Sequence, residues 1–191
     1  METPLAAFAE TLRTDRLLLR RYRPADADWY AAMARRNQAH LARYESRNAA
    51  FGVADAGAAR QVLQWFDELW LGQSGYFLGA FLADPAEFAA QVYVGVADPA
   101  LPRFTLGFFA DCGHEGRGLV TEAVRAVTTY LFAAQRAHKV DLHCDETNLR
   151  CQRVAERCGF AREAHLREHQ RTPEGAVSGT YCYARFRTPG T

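Results

Sequence analysis

The sequence has almost no net charge. Its 23 Lys and Arg against 22 Asp and Glu leave +1 over 191 residues. So weak a field offers nucleic acid no hold. No apolar run is long enough to span a bilayer, which excludes a membrane helix and a membrane partner. Met1–Glu10 lacks both the basic start and the long apolar stretch of a secretion signal, so a cytoplasmic location is expected. Repeats and low-complexity linkers are missing too. One domain over 1–191 is expected, with 1–13 and 188–191 as terminal extensions. No Cys-x-x-Cys pair or spaced histidine pair occurs. Cys112, His114, His143 and Cys144 therefore make a poor zinc set, and no metal is expected. The five cysteines are an odd number in a chain without a leader, which favours reduced thiols.

What is present suits a sizeable core: 49% hydrophobic and 24% charged residues. Arg16–Arg23 reads as a first strand ended by Pro24. Asp26 is placed to cap a helix carrying Trp29, Tyr30 and Met33. Asp55 is placed to cap another, in which Ala59, Val62, Leu63, Phe66 and Trp70 recur at helical spacing. Trp65 and Trp70 read as core and not as a ligand box. Runs at 75–82, 88–96 and 103–110 predict an antiparallel meander. A helix is expected from Leu119 through Leu131, a strand at 139–144, a helix at 149–158 stopped by Gly159, and a strand at 180–186. The order is mixed α/β: antiparallel first, then β-loop-α-β-α-β.

The stretch "DCGHEGRGLV" (111–120) joins a strand to a helix and holds Gly113, Gly116 and Gly118. The free N–H groups and dipole of a helix start make an anion site there. A triphosphate loop would need Lys and Ser/Thr next, but Leu119 and Val120 follow. A dinucleotide fingerprint would need a third Gly where Thr121 stands. What fits is a pyrophosphate held by backbone, without metal.

These residues resemble the GNAT N-acetyltransferases. "LGFFADCGHEGRGLVTEAV" (106–124) is similar to their acetyl-CoA motif, and "NLRCQRVAERCGF" (148–160) to their second motif. "TDRLLLRRYRPADAD" (14–28), "NQAHLARYE" (37–45) and "YARF" (183–186) resemble segments of the Rim-type branch, which acts on ribosomal proteins. The resemblance implies a single GNAT domain: an α/β fold with a mixed, mostly antiparallel sheet, two splayed central strands and flanking helices. It implies that backbone of Phe108, Phe109 and Ala110 holds pantetheine. Backbone of Glu115, Gly116, Arg117, Gly118 and Leu119 would hold the pyrophosphate, and Asn148 would contact the pantetheine arm. The chain departs from the pattern at Gly113 (usually Gln or Arg), Cys151 (Ser), Ala155 (often Tyr) and Gly179 (often Asp).

The implied reaction is acetyl transfer from acetyl-CoA, by direct attack, to a primary amine such as a protein or peptide N-terminus. Small amines such as polyamines or antibiotics are the alternative acceptors. A CoA-binding module without turnover is a rival reading, and glycines that only make turns are a third. Nothing in the sequence opposes a homodimer. The chemistry asks for an oxyanion donor, and by resemblance the Phe109 or Ala110 N–H is the candidate. It also asks for an acid to reprotonate the leaving thiolate. Cys151, with a reference thiol pKa of about 8.5, competes for that role with Tyr181 and Tyr183; alternatively Cys151 packs beside the cofactor. Arg117, Arg150 and Arg153 are candidates to pair the adenosine 3′-phosphate. Glu163 and Glu168 lie where substrate could pass, while Glu122 is expected to serve its helix start. No single carboxylate stands out as base.

Overall fold

The computed structural model describes residues 5–172 and 174–187. After β1 (Thr11–Arg13) and β2 (Leu17–Arg21), a one-turn 3-10 segment leads into α1 (Ala27–Tyr44) and α2 (Ala56–Leu71). Then come β3 (Gly75–Leu82), β4 (Phe88–Asp98), β5 (Arg103–Ala110), α3 (Leu119–Ala133), β6 (Lys139–Asp145), α4 (Leu149–Arg157), β7 (Ala161–Arg171) and β8 (Val177–Phe186). Among the described residues these strands form one eight-stranded sheet, ordered β1-β2-β3-β4-β5-β6-β8-β7. No helix among them is long and apolar enough to cross a membrane.

Side-chain alternation along the strands divides the core into two layers. In β3, Tyr76, Leu78 and Ala80 pack with Leu119, Val127 and Leu131 of α3, while Phe77 and Phe81 pack with Tyr30 and Met33 of α1 and Phe66 of α2. Both faces of the central strands are thus covered, which is why β3 reads as a nearly unbroken apolar run.

Neighbouring strands are antiparallel except β5 and β6, which run parallel with α3 as the crossover between them. Their pairing ends at Leu106 opposite Leu142. Beyond that point β5 stays on β4 as far as Ala110, and β6 stays on β8 as far as Asp145. The sheet therefore opens between its two central strands, as the sequence resemblance implied.

Some local expectations need correction. Residues 11–13 are not an extension: β1 pairs with β2, and Phe8 is buried with its ring stacked 4.0 Å from Tyr76. This strand is too short and exposed to show a period. The 188–191 extension lies outside the described residues. Asp26 does not cap α1 with its side chain, because Arg20 takes both its oxygens (2.7 and 2.9 Å) and the Arg23 N–H donates to it at 2.8 Å. Asp55 does cap α2, accepting from Ala58 N–H at 2.9 Å. The strands foreseen at 88–96 and 180–186 run to Asp98 and start at Val177.

Candidate active site at the splayed strands

The glycine loop sits where β5 leaves the sheet. Gly116 and Gly118 both have φ of +73°, the left-handed conformation that disfavours side chains. Gly118 also forms the N-cap of α3, so the first free N–H groups of that helix lie at the loop. Gly113 has another reason: a Cβ there would stand 3.2 Å from Asp111 Oδ1. Asp111 organises the loop's entry. Its side chain is 2% exposed and accepts from Asn37 Nδ2 (2.8 Å), Arg36 Nη2 (2.6 Å) and Gly113 N–H (3.0 Å). Burial pushes the Asp111 pKa up, but these hydrogen bonds outweigh it and hold the carboxyl below its usual range. Asn37 Oδ1 in turn accepts from Cys112 N–H at 2.8 Å.

Glu122, in the first turn of α3, accepts from Thr14 Oγ1 (2.5 Å) and from Arg16 Nε (2.6 Å), tying that helix to the start of β2 rather than capping its N–H groups. Glu115 pairs with Arg150 of α4 across the loop, and His40 Nδ1 lies 3.6 Å from it. Arg117 and Arg153 are exposed. Leu119 is buried in the α3 layer.

Strand alternation decides which β5 groups face the gap. Asp111 N–H donates to Ala89 O at 2.9 Å, continuing the β4 ladder in which Phe109 pairs with Gln91. Phe109 therefore turns its N–H toward β4, and its ring is buried against α1 and α2. Phe108 and Ala110 have the opposite phase and point their backbone groups into the gap. Of the two N–H groups named as oxyanion candidates, that of Phe109 is directed to β4 and that of Ala110 faces the gap.

The second motif forms the far wall. Asn148 is the N-cap of α4, accepting from Cys151 N–H at 3.1 Å. Cys151 is half-buried and hydrogen-bonded to the thiol of Cys144, buried near the end of β6. That hydrogen bond, burial, and the nearby Cys144 and Glu45 push the Cys151 thiol well above its ordinary value. Tyr183 borders the same thiols; burial and Cys144 raise its pKa to about 12. Both groups hold their protons at neutral pH, so the near match between Cys151 and the leaving thiol expected from reference values does not hold. Ala155 is fully buried in the core. Tyr181 is half-buried against His165, ring centroids 4.6 Å apart. At Gly179 a Cβ would meet Glu146 Oε2 at 2.5 Å and His165 Nε2 at 2.6 Å, the ends of two side chains that would have to move aside.

A cavity of roughly 410 Å3 touches the gap at Gly107 and Phe108 of β5 and Asp145 of β6. The end of α1 and the 45–49 segment form one wall, Trp65, Phe77 and Tyr93 a second, and Gln170–Thr172 a third. A buried chain holds the first wall in place: Tyr22 Oη donates to Gln91 Oε1 (3.0 Å), and Gln91 Nε2 to Asn48 Oδ1 (3.4 Å).

Two features of this cavity escape sequence reasoning. Trp65, expected in the core, is 45% exposed and lines it; Trp70, at 8%, is the core residue. Glu45 is the second. Met33, Asn37 and Leu41 are fully buried at steps of four along α1, and Glu45 is the next step. That spacing was the available signal. Burial raises the Glu45 pKa to about 7. The carboxylates singled out from sequence lie elsewhere: Glu163 pairs with Lys139 at 2.6 Å, and Glu168 is exposed on β7. Cys112, His114, His143 and Cys144 are not gathered, and no group of three or more metal-ligating side chains occurs among the described residues.

Comparison with known proteins gives a consistent picture. The acetyltransferase (GNAT) domain family matches residues 16–161. A probable N-acetyltransferase of Bacillus subtilis, YjcK, is 33% identical over 95 residues, 49% of this chain and 52% of that one. The chain thus spans about half the length of this curated relative. Among solved structures, the ribosomal-protein-S5-alanine acetyltransferase of Vibrio fischeri superposes with a TM-score of 0.83 at 18% identity, covering 95% of this chain and 98% of the other. RimL, a ribosomal L7/L12 alpha-N-protein acetyltransferase solved with coenzyme A in a disulfide to one of its cysteines, superposes with a TM-score of 0.84 at 18% identity. The coverage there is 93% and 98%. At such identities the two structures speak for the fold.

Proposed function

Because the chain belongs to the GNAT acetyltransferase family, we propose that it moves an acetyl group from acetyl-CoA directly onto a primary amine, without an acyl-enzyme. One observation carries this reading. The β5–β6 pairing stops at Leu106–Leu142, and the unpaired stretch leads to a glycine loop and also borders a cavity. Two reactants can therefore meet in one gap from different directions.

The residues present fit the coenzyme. Phe108 and Ala110 offer a strand edge without a partner, on which a pantetheine arm can hydrogen-bond as an added strand would. Gly116, Gly118 and the start of α3 offer backbone N–H groups and the positive end of a dipole to a pyrophosphate. Asn148 closes the far side. Arg117, Arg150 and Arg153 stand near enough to the loop in sequence and on α4 to serve a 3′-phosphate. The coenzyme supplies a thioester, whose acyl carbon is open to an uncharged amine.

The chain's part is mainly to position and polarise. Holding amine and thioester together replaces an encounter in solution. The Ala110 N–H is aimed where the carbonyl oxygen gathers charge as the amine attacks. Cys151 or Tyr183 can give the departing sulfur a proton, at a cost set by their raised pKa values.

The test is thiol release from acetyl-CoA over a panel of primary amines and N-terminal peptides, with coenzyme affinity measured by calorimetry. Saturable binding together with amine-dependent release supports the reading. Binding without release from any amine identifies a coenzyme-binding module instead.

A further inference from the structure

We propose that the cavity beside the splay is the acceptor subsite, and that it takes a single primary amine on an apolar group with an anionic group further out, Glu45 receiving the amine. This rests on the acetyl-transfer reading and narrows its acceptor.

Glu45 carries the first part. Its carboxylate has no hydrogen-bond or ion-pair partner among the described residues, although it is half-buried on the cavity wall. The other carboxylate there, Asp145, is occupied: it accepts from Thr147 N–H (2.8 Å), Thr147 Oγ1 (2.6 Å) and Gln170 Nε2 (3.0 Å). A carboxylate withdrawn from water and left without a partner favours a cation beside it. Burial raises its pKa to about 7, where it can take a proton from an ammonium group. Its charge also reaches the Cys151 thiol. The step balances as follows. Glu45 takes one proton from the ammonium, and the freed nitrogen pair forms the C–N bond while the C–S bond breaks; the sulfur takes a proton from Cys151 or water, and the second proton shed by the nitrogen restores that acid, leaving one proton on Glu45 to pass to solvent.

The second part comes from the aromatic row. Trp65 lies 5.6 Å from Phe77, and Phe77 lies 4.5 Å from Tyr93, ring centroid to centroid. The rings are tilted by 52° and 32° and Phe77 is buried, so Trp65, 45% exposed, gives the cavity its main apolar surface. Thr172 Oγ1, on the opposite wall, is buried with no hydrogen-bond partner.

The third part is the charge at the mouth. Arg43, Arg47 and Arg171 are exposed on the cavity's lining. Arg43 lies over the Tyr44 ring and Arg171 donates to the Gly175 carbonyl; none of the three is in an ion pair among the described residues. Three cations here repel a second ammonium and favour a carboxylate or phosphate. Polyamines and aminoglycosides are thereby disfavoured.

The test compares thiol release with three acceptors: the dipeptide Phe-Glu, phenylalanine amide and spermidine. We expect kcat/KM to fall in that order, with spermidine about tenfold or more below the dipeptide. The double variant Arg47→Glu/Arg171→Glu, altered only at exposed positions, should narrow or invert the ratio of dipeptide to spermidine. Glu45→Gln should lower kcat about a hundredfold and remove an acidic limb near pH 7, while leaving coenzyme affinity within about twofold. Equal or better turnover of spermidine, or an unchanged ratio in the double variant, overturns the acceptor class. An acidic limb that persists in Glu45→Gln overturns its role. If acetyl-CoA binds but no amine of any kind releases thiol, the acetyl-transfer reading itself fails.

Discussion

Asn37 Nδ2 donates to Asp111 Oδ2 across 2.8 Å, joining the middle of α1 to the point where β5 leaves the sheet. The same Asn37 receives the Cys112 N–H at 2.8 Å, so one side chain secures both ends of the turn that starts the glycine loop. Gly113 donates its N–H to Asp111 Oδ1 at 3.0 Å, and a Cβ there would stand 3.2 Å from the same oxygen.

Asp111→Ala should therefore destabilise the fold. Removing a buried carboxylate strands Asn37 and Arg36, but Arg36 is half-exposed and can be rehydrated. The expected cost is about 2–3 kcal/mol at pH 7, at the low end for a broken buried pair. The folded pKa lies below the unfolded value of 3.8, so Asp111 stabilises above that value and less as pH falls through its depressed pKa. Urea unfolding at pH 7 and near pH 3 should show the gap between the two proteins closing in acid.

Gly116→Val should weaken coenzyme binding by about tenfold or more. No atom lies within 4 Å of a Cβ built at Gly116, so the new side chain meets no protein atom and its effect falls on the loop backbone and on a pyrophosphate bound there. The φ of +73° adds about 1–2 kcal/mol of backbone strain. Calorimetry with CoA reads the first effect and thermal unfolding the second. Unchanged affinity would remove the loop from the coenzyme site.

Glu45 gives a stability trend of opposite sign to Asp111. Its folded pKa of about 7 exceeds the reference value of 4.5. The protein thus loses stability through this group as pH rises from about 4.5 to 7, and keeps the loss above. Glu45→Gln should abolish that component. The Tm difference, variant minus parent, should be more positive at pH 8 than at pH 5.

Cys151 should resist alkylation at pH 8, because its hydrogen bond to Cys144, burial and nearby charge keep it protonated. Cys112 is exposed and should be modified first by iodoacetamide. Peptide mapping by mass spectrometry distinguishes them. If Cys151 reacts as fast as Cys112, the thiol pair is not closed in solution.

Much of the fold was legible because it depends on local pattern. Apolar runs, glycine punctuation and Asp55 marked the central strands and helices, and the family resemblance carried by two motifs implied the splayed strands. Less visible was anything that depends on phase or on distant partners. Phe109 and Ala110 look equivalent in a run of apolar residues, and only the register with Gln91 and Ala90 shows which N–H is taken. Asp26 looked like a helix cap, and Arg20 from the neighbouring strand claimed it. Trp65 and Trp70 lie on one helix, yet only Trp70 faces the core.

By itself, then, the order of residues determined where strands and helices form and that a glycine loop opens α3. These follow from propensity, periodicity and the conformations open to glycine, all of which act within a few residues. The tertiary structure alone decided that Glu45, Trp65 and Arg171 share one cavity. Glu45 ends α1 and Trp65 lies on the next helix, while Arg171 ends β7 far later in the chain, and it is sheet order and strand register that place them together. A carboxylate near the end of a helix is ordinary in sequence. Half-buried, without a partner, and at the edge of a gap between parting strands, it acquires a raised pKa and a use.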